Sequence, residues 1–185
     1  QIPTLALPNE VGEKRVGIWL LILSMLRIQL AQSPLEIQQI RDLFWTYAEI
    51  RGFDAALGDF QAELDALPGK YASPEGCLLL ATKADEAIGC LAFQRLSDEI
   101  CEMKRMFVLP EYRGQGIGSQ LVKHLLVEAQ SAGYQRMRLD THPHMHQAAH
   151  IYQSFGFYPI SRYNQNPTPG IRFFEKILSL DEPSG

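Results

Sequence analysis

Residues 100–119, ICEMKRMFVLPEYRGQGIGS, lead from a strand-like run through a proline turn into a helix. The run stops at Val108, and Pro110 punctuates the turn. RGQGIG then opens the most regular helical pattern in the chain, with Gly118, Leu121, Val122, Leu125, Leu126 and Ala129 on one face and a stop at Gly133. Gly114, Gly116 and Gly118 remove side chains at alternate positions just where the chain enters this helix. Several backbone N–H groups can then converge on an anion, helped by the positive end of the helix dipole. Arg113 adds a charge that pairs well with phosphate. A strand before and a helix after favour a diphosphate cradle over a merely flexible turn. Two familiar diphosphate loops do not fit. A dinucleotide fingerprint needs a third glycine where Ser119 stands, and a Walker loop needs a lysine that Gly118-Ser119 lacks.

The rest of the chain alternates around this unit. Strand patterns fall at 26–30, 77–83, 87–94, 100–108, 136–140, near 157–163 and at 171–178. Helical spacing predicts a helix opened by Ser33-Pro34, with Ile37, Ile40, Leu43, Phe44 and Tyr47 inward, and further helices near 57–67 and 146–154. Short polar turns at Asp85-Glu86 and Ser97-Asp98 favour antiparallel pairing of the middle strands. The expectation is an α+β fold, a mixed but mainly antiparallel sheet flanked by helices. The length of 185 residues suits one domain. A net charge of −4 provides no field for nucleic acid or an anionic membrane. Cys77, Cys90 and Cys101 form an odd, widely spaced set, read as buried reduced thiols of a cytoplasmic protein. The apolar run 16–26 is too short to span a bilayer, and no small-residue cleavage site follows it. Residues 1–24 are therefore read as an extension of uncertain role, with Trp19, Leu20 and Leu23 to bury, against a second copy for example, and 25–180 as the domain.

Arg113-Gly114-Gln115-Gly116-Ile117-Gly118 matches [RQ]-x-x-G-x-[GA] on a strand, loop and helix, and so resembles the acyl-CoA loop of the GNAT N-acetyltransferase superfamily. MHQAAHIYQSFGF resembles the superfamily's downstream segment through Ala148, Tyr152 and Gly156-Phe157, with Met145 where many members have asparagine. The element order over 26–178 follows the same plan. The resemblance implies acetyl-CoA as cosubstrate and direct acetyl transfer to a primary amine in a ternary complex. It assigns the cofactor to Arg113, Gly114, Gln115, Gly116, Ile117, Gly118, Ser119, Ala148 and Tyr152, and to the backbone of Met106, Phe107 and Val108 at a splayed strand end. One of those backbone N–H groups would polarise the thioester carbonyl.

An alkylamine is mostly protonated near neutral pH, so a carboxylate base is useful, and the departing thiolate needs a proton. Glu102 lies eleven residues before Arg113, the offset of the glutamate base in the histone-type members this chain resembles. A plain ion pair with Lys104 or Arg105 competes with that reading. Tyr152 stands where the resembling family keeps a tyrosine beside the thioester sulfur, and is expected to be the acid. Neither alternating set of 102–109 is cleanly apolar, which predicts a bulge.

For the acceptor, Tyr163 and Asn164 provide hydrogen bonds, while Arg105, Arg162 and Arg172 suit a carboxylate; a small amine or amino acid is preferred. His142, His144, His146 and His150 could instead hold a metal, but a polar rim of the cleft is the favoured reading, and no metal is expected. A strand at 171–178 on the sheet edge would permit a homodimer. The alternative function is a non-catalytic acyl-CoA-binding or sensing domain. A zinc-dependent hydrolase is a third class, tied to the histidines.

Overall fold

The computed structural model describes residues 26–51 and 58–178. The segment 1–24 and its apolar run lie outside these, apart from Leu26. The described residues form a seven-stranded sheet made of β1 (Leu26–Leu30), β2 (Cys77–Lys83), β3 (Glu86–Arg95), β4 (Ile100–Val108), β5 (Arg136–Thr141), β6 (Tyr158–Ile160) and β7 (Arg172–Ile177). The order is β1-β2-β3-β4-β5-β7-β6. Every pair is antiparallel except β4 with β5. The helices are α1 (Pro34–Arg51), α2 (Gly58–Asp65), α3 (Ile117–Ser131) and α4 (His146–Ser154). The expected α+β sheet is thus present.

Local chemistry sets the boundaries. Ser33 and Glu36 form a reciprocal cap on α1: Glu36 N–H donates to Ser33 Oγ at 3.3 Å, and Ser33 N–H donates to Glu36 Oε2 at 2.8 Å. Donation from the backbone N–H groups of Ser33 and Gln32 holds the Glu36 carboxyl below the usual range. The apolar run of β2 is continuous because both faces of the sheet are covered. Cys77, Leu79 and Ala81 join the core beneath α3 and α4, while Leu78 and Leu80 join Ile40, Leu43 and Phe44 of α1 on the other side. The three cysteines are free and buried, and burial pushes the Cys77 and Cys101 thiols up to about 12.

Two expectations shift. The strand near 157–163 contracts to Tyr158–Ile160. It pairs with β7, so β7 lies between β5 and β6 and is not the sheet edge at which a dimer was expected. The three-residue run YPI, with a central proline, has too little pattern to announce that it is the strand that covers β7.

Candidate active site

β4 and β5 are paired only from Ile100↔Arg136 to Glu102↔Arg138. Beyond Glu102 the two strands part, and the backbone of β4 turns to other uses. On its β3 side, Cys90 pairs with Phe107 and Ala92 with Lys104, so Arg105 and Met106 together face Leu91. This is the predicted bulge, and Arg105 adopts a left-handed φ of 60° within it. One extra residue reverses the alternation. Cys101 and Met103 face the α3 side before the bulge; Met106 and Val108 do so after it, and Phe107 joins the α1 side. That phase change is why neither set of residues looked apolar in the sequence.

The gap holds a cavity of about 120 Å³, whose walls include Lys104, Arg105 and Met106 of β4, Asp140 and Thr141 of β5, and Tyr152 of α4. A chamber this size suits a reacting group, not a whole ligand, since drug-sized pockets run to roughly 300 Å³ and more. Tyr152 is 5 % exposed, its ring edge-on to Phe157 at 5.9 Å, and its hydroxyl donates to Met106 Sδ at 3.6 Å.

After β4 the chain runs through a helical turn at Pro110–Tyr112 into α3. Gly114 and Gly116 have φ of 76° and 79°, and a Cβ built on either meets no atom within 4 Å. Their glycine character therefore serves the backbone conformation and leaves open space above it. Gly116 caps α3 without a side-chain hydrogen bond, so the first-turn N–H groups of Ile117, Gly118 and Ser119 have no such cap. Gly118 is different: an added Cβ would lie 3.3 Å from Ile151 Cδ1 of α4, so it serves close packing. Arg113 is exposed, and its Nε donates to Val108 O at 3.0 Å, laying the guanidinium near the Phe107 ring. An uncapped helix start, two left-handed glycines and an exposed arginine fit a diphosphate.

Glu102 sits where the strands begin to part. It is 3 % exposed and accepts hydrogen bonds from Gln94 Nε2 at 2.7 Å, Tyr163 OH at 2.8 Å, Asn164 Nδ2 at 3.3 Å and Lys104 Nζ at 3.4 Å. Burial, then the neighbouring Glu102 charge, pushes the Tyr163 phenol well above its usual range, which keeps it a donor. Tyr163 and Asn164 are thus brought to Glu102, the expected base, 61 and 62 residues away in sequence. Asn164 also donates to Asp140 Oδ2 at 2.7 Å. Asp140 lines the cavity through the position of β5 in the sheet, which no sequence motif marks.

The arginines expected to meet an acceptor carboxylate are engaged within the fold. Arg105 lines the cavity, but its guanidinium grips Glu63 of α2. Arg162 donates to the carbonyls of Asn164 and Asn166, and Arg172 to that of Pro143 at 3.4 Å. Of the four clustered histidines, His142 lines the cavity while His144, His146 and His150 are exposed. Among the described residues no three His, Cys, Asp or Glu side chains gather in a metal-binding group. No helix among the described residues is long and apolar enough to cross a membrane.

The model of the acetyltransferase (GNAT) family matches residues 37–157. An uncharacterized N-acetyltransferase of Schizosaccharomyces pombe is 32 % identical over 158 residues, covering 84 % of this chain and 97 % of its own. The fold matches a GNAT-family acetyltransferase from Staphylococcus aureus with a TM-score of 0.70 at 20 % identity, over 84 % of this chain and 100 % of that one. It also matches the PaiA N-acetyltransferase of Thermoplasma acidophilum in complex with coenzyme A, with a TM-score of 0.64 at 18 % identity, over 83 % and 99 %. With that family match over most of its length, the chain belongs to the GNAT family of acetyltransferases and is an acyltransferase.

Proposed function

We propose that this acyltransferase moves the acetyl group of acetyl-CoA directly to the primary amine of a small molecule or amino acid while both substrates are bound. The observation that carries the reading is the parting of β4 from β5 after Glu102–Arg138, with a cavity lined by Met106, Tyr152, Asp140 and Asn166 and an anion-suited glycine loop following β4 in the chain. Acetyl-CoA is the cosubstrate, and supplies an acetyl group activated as a thioester. The N–H groups at Gly114–Ser119 and the Arg113 guanidinium would hold its diphosphate. The backbone of Met106, Phe107 and Val108, released from β5, would hold the amide arm by strand-like hydrogen bonds and present an N–H to the thioester oxygen. Ala148, buried on α4, leaves room beside that arm.

Tyr152 holds a proton at its hydroxyl oxygen for the sulfur that leaves. On the acceptor side, Glu102 anchors the network that draws a proton from the amine, with Tyr163 and Asn164 as hydrogen-bonding groups. Arg105 forms part of the wall. A small acceptor suits the modest cavity. Calorimetric titration with acetyl-CoA, free CoA and NAD, followed by thiol release with a panel of amines, tests the reading. Binding of both CoA forms without NAD, and amine-dependent thiol release, is the expected result. Binding without any release would leave the acyl-CoA sensing function instead. Absence of CoA binding would overturn both.

A further inference from the structure

We infer that Asp140, not Glu102, is the catalytic carboxylate that touches the acceptor amine. This rests on the transfer reaction proposed above and divides the labour within its carboxylate network. Glu102 is 3 % exposed, has both oxygens occupied by donors, and is not among the residues that line the cavity. Asp140 does line it. Its contacts all fall on one oxygen: Asn164 Nδ2 at 2.7 Å, Asn166 Nδ2 at 3.2 Å and Lys104 Nζ at 3.8 Å all approach Oδ2. Among the described residues Oδ1 accepts no hydrogen bond. A carboxylate accepts through two oxygens, so fixing one of them orients the other for an incoming donor.

The two asparagines are themselves held. Asn164 Oδ1 accepts from Asn166 N–H, and Asn166 Oδ1 accepts from Thr168 N–H, each at 3.1 Å. Asn164 Nδ2 bridges Asp140 and Glu102, and Lys104 lies between the same two carboxylates. Glu102 is then a positioning residue, which keeps Asn164 and Lys104 where they grip Oδ2. An acceptor ammonium would meet Oδ1. One N–H bond breaks, its electron pair stays on nitrogen, and the proton passes to Asp140. Of the two protons the ammonium loses overall, one ends on the thiol and the other leaves through Asp140 to solvent. The charged and titratable groups around this point include Lys104, Arg105, Glu102, His142, Tyr47 and Tyr152, together with Tyr163, whose phenol feels the Asp140 charge.

The test uses acetyl-CoA and the best acceptor from a panel of glycine, L-aspartate, L-lysine, spermidine and tyramine. Asp140→Asn should lower kcat/KM for that acceptor by about 100-fold near neutral pH, the typical scale of a lost general base. Calorimetric affinity for acetyl-CoA should not change. The defect should shrink as pH rises, because more of the amine then arrives already deprotonated; a purely structural lesion would not recover. Glu102→Gln should give a smaller loss with no such recovery. If Asp140→Asn does not fold, Asp140→Ser in the same assay decides. Retention of kcat/KM within about threefold, a defect independent of pH, or recovery seen in Glu102→Gln alone would overturn the assignment. A wild-type protein that binds acetyl-CoA yet acetylates no member of the panel would overturn the amine reading beneath it as well.

Discussion

The guanidinium of Arg105 and the carboxylate of Glu63 meet through two parallel hydrogen bonds, Nε to Oε1 at 2.8 Å and Nη2 to Oε2 at 2.9 Å. Tyr71 OH and Lys70 Nζ donate to the same carboxylate at 2.9 and 2.8 Å, and the Arg105 guanidinium lies over the Phe60 ring at 5.0 Å. α2 is thereby tied to the one non-glycine residue of β4 with a positive φ, next to the backbone proposed to hold acetyl-CoA. Glu63→Ala leaves a mostly buried guanidinium and a buried phenol without their acceptor. Breaking one side of such a pair costs roughly 3–5 kcal/mol. Guanidinium denaturation should show a lower midpoint at unchanged slope, and affinity for acetyl-CoA should fall with the loosened bulge. A loss under about 1 kcal/mol, the value of an exposed pair, would show that the bulge holds without it.

The same pair sets an acid limit. Burial alone would raise the Glu63 carboxyl, but hydrogen bonds and charge from Arg105, then Lys70, outweigh it and bring its pKa from 4.5 to about 2. A carboxyl depressed in the folded state contributes stability that is complete above its unfolded value and is lost as pH falls toward the folded one. Unfolding free energy should therefore decline between about pH 4.5 and 2, by an amount on the order of 2–3 kcal/mol from this group. In Glu63→Gln that part of the slope should vanish, which parallel urea titrations at stepped pH would reveal.

What the sequence makes legible follows range of interaction. The Ser33–Glu36 cap, the left-handed glycines and the helical face of α3 depend on neighbours a few residues apart, so spacing alone announces them. The bulge was legible too, because an extra residue leaves an alternation fault in the sequence. Glu63 was not. It lies on a short helix without a motif, and its partner is 42 residues away. Asp140 was passed over for a similar reason: its grip on Asn164 spans 24 residues and needs the parting of two strands to make sense.

Gly114 and Gly116 should each resist substitution through the backbone, not through crowding. Both have positive φ, and an added Cβ meets nothing within 4 Å. Alanine held left-handed costs roughly 1–2 kcal/mol, so a loop that keeps its shape loses global stability, and one that relaxes loses its N–H convergence. Either alanine variant should weaken acetyl-CoA binding by about tenfold in calorimetry if the strain is relieved by misplacing donors. Gly118→Ala, whose Cβ needs only a small shift of Ile151 Cδ1, should cost less in affinity. Equal loss at all three positions would point to crowding as the cause.

Tyr152→Phe separates chemistry from packing. The ring's edge-on contact with Phe157 is kept, and the hydroxyl's bond to Met106 Sδ, at 3.6 Å to a weak acceptor, contributes little to the fold. The variant should melt within a few degrees of the wild type and bind acetyl-CoA as well. Its turnover should fall by about 100-fold if the hydroxyl supplies the proton to the departing sulfur, within the range a positioned acid contributes. An acetyl thioester with a more acidic thiol needs that proton less, so the gap between variant and wild type should narrow with such a donor. Wild-type turnover in the variant would remove Tyr152 from the chemistry and leave it a wall of the cavity.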